Sequence, residues 1–444
     1  MTRQWLLALL LVSALSANGQ EVLTLSDAIQ LGLSNNFGIR IEGLNQEIAR
    51  NNNTWGEAGR WPSVNINVGQ NNNVTDIDNP ASFLQGQLRS NDLSPSLTAN
   101  WTIFNGFAVS IAKERLQLLQ EQSDGNAVIV IENAVQAIIE AFYNTILEQE
   151  RTKVLEEQLI LSRDRYNYIL LRKNLGSAVT FDILQDKNAY LTDSSNYVLQ
   201  QLNYQNAHRN LNLLLAEDLS QHFELSGDLD RDAKLYVYQD LYAKMTENNS
   251  NLRNQFVNQE LLRNTYRQNR AARSPSLDLG LGYVYTKNWQ DLSEANFGSE
   301  TGPDEIIKSR TTNYFASFTL AFTLFNGGRV SRQIKNARIQ ETLGHLETED
   351  LTLSLNNDLL TAYDRYNVRV KLLNIAVENQ ATAALNLDLA EERYKNGTIN
   401  SFDYRDIQVN YLLISLNLLQ SKFDLIQTDT QLLRLTGGIL SQYQ

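Results

Sequence analysis

Cysteine is absent from the 444 residues, and proline, histidine and basic residues are scarce. Without cysteine this chain has no disulfide, no thiolate metal site, no cysteine nucleophile and no lipid anchored through cysteine. Its three histidines, His208, His222 and His345, nearly exclude a multi-histidine metal centre. Because there are only five prolines, long uninterrupted helices are favoured over a loop-rich sandwich.

The charge balance and the motif content exclude further classes of function. Asp and Glu number 50 against 38 Lys and Arg, a net charge of −12, so no basic surface for nucleic acid is expected. The chain has no glycine-rich phosphate loop, no Ser-His-Asp order and no HExxH motif. We therefore expect neither an enzyme nor a cofactor.

The first 19 residues have the pattern of a signal peptide. Arg3 precedes an apolar run from Trp5 to Leu15, which is followed by small residues at Ala17 and Gly19. The alternative is a membrane anchor, but this run is too short to cross ~30 Å of hydrocarbon. No later segment approaches 18 consecutive apolar residues, so the exported chain is expected to be soluble or inserted as strands.

The rest of the chain is a tandem repeat. With a shift of 213 residues, 12 of the 29 positions from Asn35 to Ser63 are identical to those from Asn248 to Ser276. With a shift of 221, Phe104–Gly106 matches Phe325–Gly327, and the register holds for some 90 residues. This predicts a first repeat at residues 20–218, a second at 219–438 and a tail at 439–444.

Each repeat is expected to contain one β-hairpin among long helices. Apolar residues alternate with polar ones after Pro62, before Phe104, after Pro275 and before Phe325, which predicts strands of about ten residues. Polar and mobile stretches are expected between the paired strands, at residues 71–92 and 287–313. Elsewhere apolar residues recur at spacings of three and four, the pattern of coiled coils.

The helix ends are also readable. The absence of Gly and Pro from residue 126 to 175 predicts a helix from about Phe107 to Asn174. Gly176 and Gly397 are expected to end helices as left-handed caps. The next helices are expected to begin at N-caps near Thr180 and Ser401.

Four strands cannot close a barrel with a filled interior. Open edges would leave unpaired backbone groups, which lipid does not tolerate. Ten-residue strands with one apolar face and aromatic ends nevertheless suit a transmembrane barrel. Closure must then come from oligomerisation, and three copies would supply twelve strands and a roughly three-fold tube. The predicted fold is an α+β membrane protein, with a long helical coiled-coil barrel joined to a transmembrane β-barrel of four strands per protomer.

The chain resembles the TolC-like outer-membrane efflux proteins over essentially the whole mature sequence. The residues that carry the resemblance are Leu23–Ile29 and Asn35-Asn36 near the N-terminus, together with a duplicated set that recurs in order: Pro62-Ser63 and Pro275-Ser276, the two Phe-Asn-Gly triplets, and Gly176 and Gly397, each followed six residues later by Asp. The resemblance implies a homotrimer in the outer membrane of a Gram-negative bacterium, with a large periplasmic portion. It also implies docking to a periplasmic adaptor and to an inner-membrane ABC, RND or MFS transporter, as in efflux or type I secretion.

The resemblance implies roles for particular residues at the periplasmic tips. Asp403 and Asp406 match inward carboxylates that form a gate, and Tyr394 with Asp182 matches a hydrogen-bonded lock. Three residues apart at a helix start, the two gate carboxylates would share one face. Alternatively, Asp403 and Asp182 are only first-turn acids that complement helix dipoles. Ile399 stands where some family members have a basic residue, which puts an ionic latch between subunits in doubt.

Two further groups of residues are expected to make contacts outside the chain. The tips resemble adaptor-docking ends, although they could be plain hairpin turns; they comprise Gly176, Ser177, Ala178, Gly397, Thr398 and Ile399. Aromatic residues towards the strand ends are expected to meet the membrane interface; they are Trp101, Tyr283, Tyr285 and Trp289. The favoured function is a passive exit channel in the outer membrane, in contact with its lipid. The alternative is a non-conducting periplasmic coiled-coil scaffold or adhesin.

Overall fold

The computed structural model describes residues 22–177, 179–298, 300–301 and 306–443. The predicted signal peptide lies outside these residues. The helices in chain order are α1 (Leu25–Asn35), α2 (Phe37–Asn52), α3 (Ala108–Asn174), α4 (Thr180–Leu215), α5 (Tyr238–Asn248), α6 (Ser250–Ala271), α7 (Arg329–Lys395), α8 (Ser401–Leu435) and α9 (Ile439–Tyr443). The strands are β1 (Val22–Thr24), β2 (Ser63–Ile77), β3 (Leu84–Phe104), β4 (Glu224–Ser226), β5 (Ser276–Asp291), β6 (Ala295–Phe297), β7 (Glu300–Thr301) and β8 (Ile307–Ala321).

The described chain divides into two compact units. The first, which we call the helical unit, is made of the chain up to Gln46, of Ser123–Phe256 and of the chain from Glu347 onward. The second, the sheet unit, is made of Glu47–Gln122 and Val257–Leu346. The predicted repeat boundary between residues 218 and 219 is not tested by this division and stays a prediction.

Among its described residues, the sheet unit contains a six-stranded antiparallel sheet, in which the four long strands have the order β2–β3–β5–β8 and the short β6 and β7 extend from one end of β3. The prediction of four strands is confirmed, but the predicted length of about ten residues is wrong, because the strands have 15, 21, 16 and 15 residues. Most of the stretches expected to be mobile are therefore strand. Polar residues there occupy both faces, so the alternation disappears from the sequence while the backbone ladder continues.

The first helix of the helical unit begins at a capping box. Thr24 Oγ1 accepts a hydrogen bond from the Asp27 backbone N–H at 3.2 Å, and the Asp27 carboxylate accepts one from the Thr24 N–H at 3.3 Å. One turn further on, Gly32 brings α1 close to α3. A Cβ at Gly32 would lie 2.2 Å from Ile138 Cδ1, so a larger residue there would require the Ile138 side chain to move.

The repeated Asn-Asn pair has the same role in both halves. Asn36 Oδ1 accepts from the Gly38 N–H at 2.9 Å, and its Nδ2 donates to the Leu214 carbonyl at 2.9 Å. Asn249 Oδ1 accepts from a backbone N–H of α6 at 3.1 Å, and its Nδ2 donates to the Leu435 carbonyl at 2.9 Å. Each asparagine thus caps the start of one helix and satisfies the end of another.

Two apolar clusters form the core of the helical unit. The first joins α1, α3 and α4 with the end of the chain, and its fully buried members include Ile138, Phe142, Leu211 and Ile439. The second joins α5, α7 and α8 around Met245 and Leu359. Burying a Leu, Ile or Phe side chain contributes roughly 1.5–3 kcal/mol, so these clusters stabilise the helix pairing.

Among the described residues, α3 is long and apolar enough in one stretch to cross a membrane by length and composition. The sequence prediction did not anticipate this. Several of the apolar residues of α3, including Val135, Ile138 and Phe142, lie in the first core cluster and are at most 1 % exposed. Their hydrophobicity is accounted for by packing within the helical unit.

Candidate functional site

Both helix-hairpin tips end in the same left-handed cap. Gly176 has φ +72° and Gly397 has φ +71°, which confirms the predicted caps. At the first tip the Ser177 N–H donates to the Arg172 carbonyl at 2.9 Å, and at the second the Thr398 N–H donates to the Arg393 carbonyl at 2.9 Å. Glycine is required at each cap because a side chain strains this conformation.

The other predicted tip residues reinforce these caps. The hydroxyl groups of Ser177 and Thr398 also donate to the Arg172 and Arg393 carbonyls, each at 3.0 Å. Ile399 packs against a small apolar cluster formed by α7 and α8. Ala178 lies outside the described residues.

The two predicted gate carboxylates lie on the first turns of α8. Asp403 and Asp406 are exposed, and neither forms an ion pair within the described chain. The helix begins at Ser401 as predicted, but its N-cap is one residue earlier than predicted: it is Asn400, whose Oδ1 accepts from the Asp403 N–H at 2.8 Å. Likewise Val179, not Thr180, is the N-cap of α4, and it makes no side-chain cap.

Tyr394 is held by aromatic contacts. Its ring stacks on that of Tyr404 with centroids 4.8 Å apart and meets the edge of Tyr168 at 5.9 Å. Burial raises the pKa of both Tyr394 and Tyr404, so the phenols stay neutral. Within the described residues no hydrogen bond joins Tyr394 to Asp182, which lies in the first turn of α4. The lock role of this pair stays a prediction.

A buried charged network lies beside these tyrosines, and the sequence did not reveal it. The side chains of Arg165 on α3 and Asp186 on α4 are 2 % and 1 % exposed, and Nε and Oδ1 are 2.9 Å apart. Arg165 Nη1 donates to Gln408 Oε1 at 2.7 Å, and Ser401 Oγ donates to Asp186 Oδ1 at 2.8 Å. Three helices are thus connected through one guanidinium and one carboxylate.

A second pair extends this network along α4 and α8. Arg405 donates two hydrogen bonds of 2.7 Å to the two oxygens of Asp193. Gln158 on α3 donates to the same carboxylate at 3.2 Å. The forked geometry of guanidinium on carboxylate makes this a strong and directional contact.

The charged groups of the network are removed from water. Burial lowers the pKa of the Arg165 guanidinium, and the Asp186 carboxylate opposes that shift. Arg165 Nη2, Asp186 Oδ2 and Gln408 Nε2 are buried and have no hydrogen-bond partner within the described chain. Such a network contributes little net stability but makes the loss of either partner costly.

The network also breaks the symmetry of the repeats. In the 221-residue register Asp186 corresponds to Ile407 and Asp193 to Ile414, so each position has a carboxylate in the first repeat and an apolar residue in the second. This difference between the repeats was the one sequence signal that could have pointed to the buried carboxylates. The sequence alone did not identify which basic residues would meet these carboxylates.

The predicted interface aromatics share one face of the sheet. Trp101 pairs in register with Leu279. Tyr283, Tyr285 and Trp289 follow on β5 at an even number of residues from Leu279, so their side chains lie on the same face. Ten positions separate Leu279 from Trp289, about 34 Å along a strand or ~25 Å of height at the usual tilt. The Tyr283 and Tyr314 rings lie 5.0 Å apart, as expected for direct cross-strand neighbours.

The opposite face of the sheet is polar. Thr102 Oγ1 donates to Asp278 Oδ1 at 2.7 Å, and Asn288 donates to Asp92. This face carries Asn, Ser and Thr side chains from all four long strands. In the described part of the chain no group of three or more His, Cys, Asp or Glu side chains is arranged to hold a metal ion.

Residues 241–438 match the family model described as outer membrane efflux protein. The matched residues make up most of the second half of the chain. The resemblance to this family, first drawn from the residues of both halves, is thereby confirmed. No curated protein matches the sequence.

Over 93 % of its length the chain is similar in fold to solved structures of outer-membrane proteins. One similar structure is that of CusC, with 16 % identity, coverage of 93 % of this chain and 92 % of that one, and a TM-score of 0.74. The Campylobacter jejuni CmeC outer membrane channel has 14 % identity, coverage of 93 % and 85 %, and a TM-score of 0.74. A membrane protein from Pseudomonas aeruginosa has 17 % identity, coverage of 93 % and 93 %, and the same TM-score.

Proposed function

We propose that the protein is a passive homotrimeric exit channel in the outer membrane of a Gram-negative bacterium. The observation that carries this proposal is the sheet, whose outer strands β2 and β8 each pair on one side only within the described chain. An apolar face with open edges is unstable in lipid unless the ladder closes. Three copies would close it with twelve strands, leaving the polar face to line a lumen.

The helical unit supports the same assembly. Apolar side chains on α7 remain exposed in the single chain, among them Leu353 at 69 %, Ile375 at 62 % and Leu385 at 62 %. Exposed apolar surface on this scale marks an interaction site. Burying it between protomers would supply much of the energy of trimer formation.

The periplasmic tips are proposed to form the gate and the docking site. In a trimer, Asp403 and Asp406 would contribute six carboxylates near the axis, a ring that attracts cations and repels anions. A periplasmic adaptor would bind the tips, and an inner-membrane ABC, RND or MFS transporter would power export of small molecules or a secreted polypeptide. Opening would separate the tip coiled coils.

Planar-bilayer conductance of the detergent-purified protein tests this function. The wild type is expected to give small cation-selective steps. The Asp403→Ala, Asp406→Ala double variant should lose selectivity or conduct more. The matched control is Asp358→Ala, Asp364→Ala, which removes two exposed carboxylates of α7.

The outcomes separate the pore from its gate. An equal change in both double variants would place selectivity elsewhere than at Asp403 and Asp406. Well-folded trimers without conductance would refute the channel and favour the scaffold or adhesin.

A further inference from the structure

Three basic side chains share a small area of the sheet's apolar face. Lys287 on β5 stands directly opposite Arg310 on β8, and Lys308 stands opposite Trp289. Because direct partners lie on the same face, these three side chains lie on the face that carries Tyr283. We call Lys287, Lys308 and Arg310 the basic patch.

The basic patch is costly for the isolated chain. Like charges directly opposite each other in an antiparallel pair are destabilising, since their Cβ atoms are only ~5 Å apart. No carboxylate forms an ion pair with any of the three within the described residues. The chain carries 50 acidic residues, so acids for pairing were not scarce.

Neighbouring groups show what compensation looks like on the same face. Arg89 on β3 forms an ion pair with Glu294 at 3.5 Å and has Asp291 as its direct strand partner. In the patch, by contrast, Lys287 Nζ lies 4.5 Å from the ring centroid of Trp289. That cation–π contact orients the ammonium but leaves its charge uncompensated.

The position of the basic patch indicates its ligand. Towards the end of the sheet that joins the helices, the next rows on this face are Tyr285 with Thr312 and Tyr283 with Tyr314, followed by aliphatic side chains and Phe318. Towards the other end lie the hairpin connections. The patch therefore borders the apolar band on its loop side, the depth at which headgroups meet a membrane protein.

We infer that the basic patch binds the phosphate groups of lipid headgroups in the outer leaflet. The inference rests on the proposed function, because it requires this face to meet lipid. A guanidinium binds a phosphate through two parallel hydrogen bonds, and two ammonium groups add point charges. A phosphate placed among the three would remove the repulsion that the chain itself leaves.

Reconstituted full-length protein tests the inference. Wild type, the variant Lys287→Gln, Lys308→Gln, Arg310→Gln and a matched control would be placed in phosphatidylcholine vesicles with or without bisphosphorylated lipid A. The control is Arg329→Gln, Lys335→Gln, Arg338→Gln, which removes the same charge from exposed positions of α7. Lipid A retained on each purified trimer and the conductance of each preparation are measured.

The patch variant should retain ten- to hundredfold less lipid A than the wild type and the control. This range follows because each basic residue near a charged surface contributes about 1 kcal/mol to binding. Added salt should narrow the difference by screening. If all three proteins retained equal amounts of lipid A and still conducted, the inference would be overturned and the proposed function would be unaffected.

Two other outcomes are also decisive. Reduced trimer stability of the patch variant in both kinds of vesicle would overturn the inference and assign the patch to carboxylates of a neighbouring protomer. Failure of the wild type to insert or conduct would overturn the inference together with the channel.

Discussion

The Arg165 guanidinium and the Asp186 carboxylate lie 2.9 Å apart in the interior of the helical unit, where both side chains are almost free of solvent. They come from α3 and α4, and Gln408 and Ser401 extend the contact to α8. The pair thus fixes the position of three helices near the tips.

Removal of one partner of this pair should be strongly destabilising. Asp186→Ala leaves the Arg165 charge buried without its counterion, which costs about 3–5 kcal/mol. The loss should be visible as a lower unfolding midpoint by circular dichroism in detergent. The apolar double variant Arg165→Met, Asp186→Leu should unfold near the wild type, because it buries no charge.

An exposed carboxylate provides the comparison for that experiment. Asp388→Ala on α7 should change stability by no more than about 0.5 kcal/mol. If Asp186→Ala were as mild as Asp388→Ala, the pair would not be buried and coupled as described.

The two tip glycines should resist substitution for a reason unrelated to space. No atom lies within 4 Å of a Cβ placed on Gly176 or Gly397, so Gly176→Ala and Gly397→Ala would suffer only backbone strain. That strain costs about 1–2 kcal/mol in the left-handed region. Amide hydrogen exchange of the tip peptides, followed by mass spectrometry, should accelerate about 5- to 30-fold.

Gly43 in α2 is the matched control for the tips. A Cβ there also meets no atom within 4 Å, but its backbone does not have a positive φ. Gly43→Ala should therefore slow local exchange, because alanine is the better helix former by roughly 0.5–1 kcal/mol. A tip variant that behaved like Gly43→Ala would show that the left-handed cap is absent in solution.

His208 should make the stability of the helical unit depend on pH. It is 2 % exposed and stacks on His222 with ring centroids 4.2 Å apart, and Tyr204 lies 3.2 Å from its Nε2. Burial and the neighbouring His222 lower the pKa of His208 to about 4. The folded state therefore favours neutral His208, so stability is greatest above the unfolded value of ~6.5 and falls as the pH drops towards ~4.

The free energy of unfolding, measured at about pH 7 and at about pH 5, checks this expectation. It should be lower at the acidic pH by about 2 kcal/mol because of His208. His208→Phe should flatten the pH profile relative to the wild type. His222→Gln should flatten it in part, since it removes the like charge. His345→Gln, at an exposed position, should leave it unchanged. An unaltered slope in His208→Phe would contradict the assignment.

Much of the fold could be predicted because its signals are local. The helix over Ala108–Asn174 was expected to within a residue, since periodicity and the absence of Gly and Pro define it. The ends of the strands were missed, because β2 continues through a run of asparagines in which neither face is apolar. The N-caps were misplaced by one residue, and only hydrogen-bond geometry identifies Asn400 and Val179.

The candidate site was predictable only in part, for the same physical reason. Gly176 and Gly397 were identified because a left-handed cap depends on the residues next to it. The Tyr394–Asp182 lock stays a prediction, but the contacts of the Tyr394 ring with Tyr404 and Tyr168 were not foreseen. Aromatic contacts between helices depend on the rotation of each helix, which local patterns do not specify.

The sequence by itself determined the type and order of the long helices and strands, the internal repeat and the two glycine caps, because periodicity and turn chemistry act over a few residues. The tertiary structure decided which buried charges meet. Arg165 and Asp186 are paired because α3 and α4 pack at one register and not another. Arg405 reaches Asp193 because α8 completes the same cluster. That register follows from the sum of many apolar contacts along each helix, and no single motif encodes it.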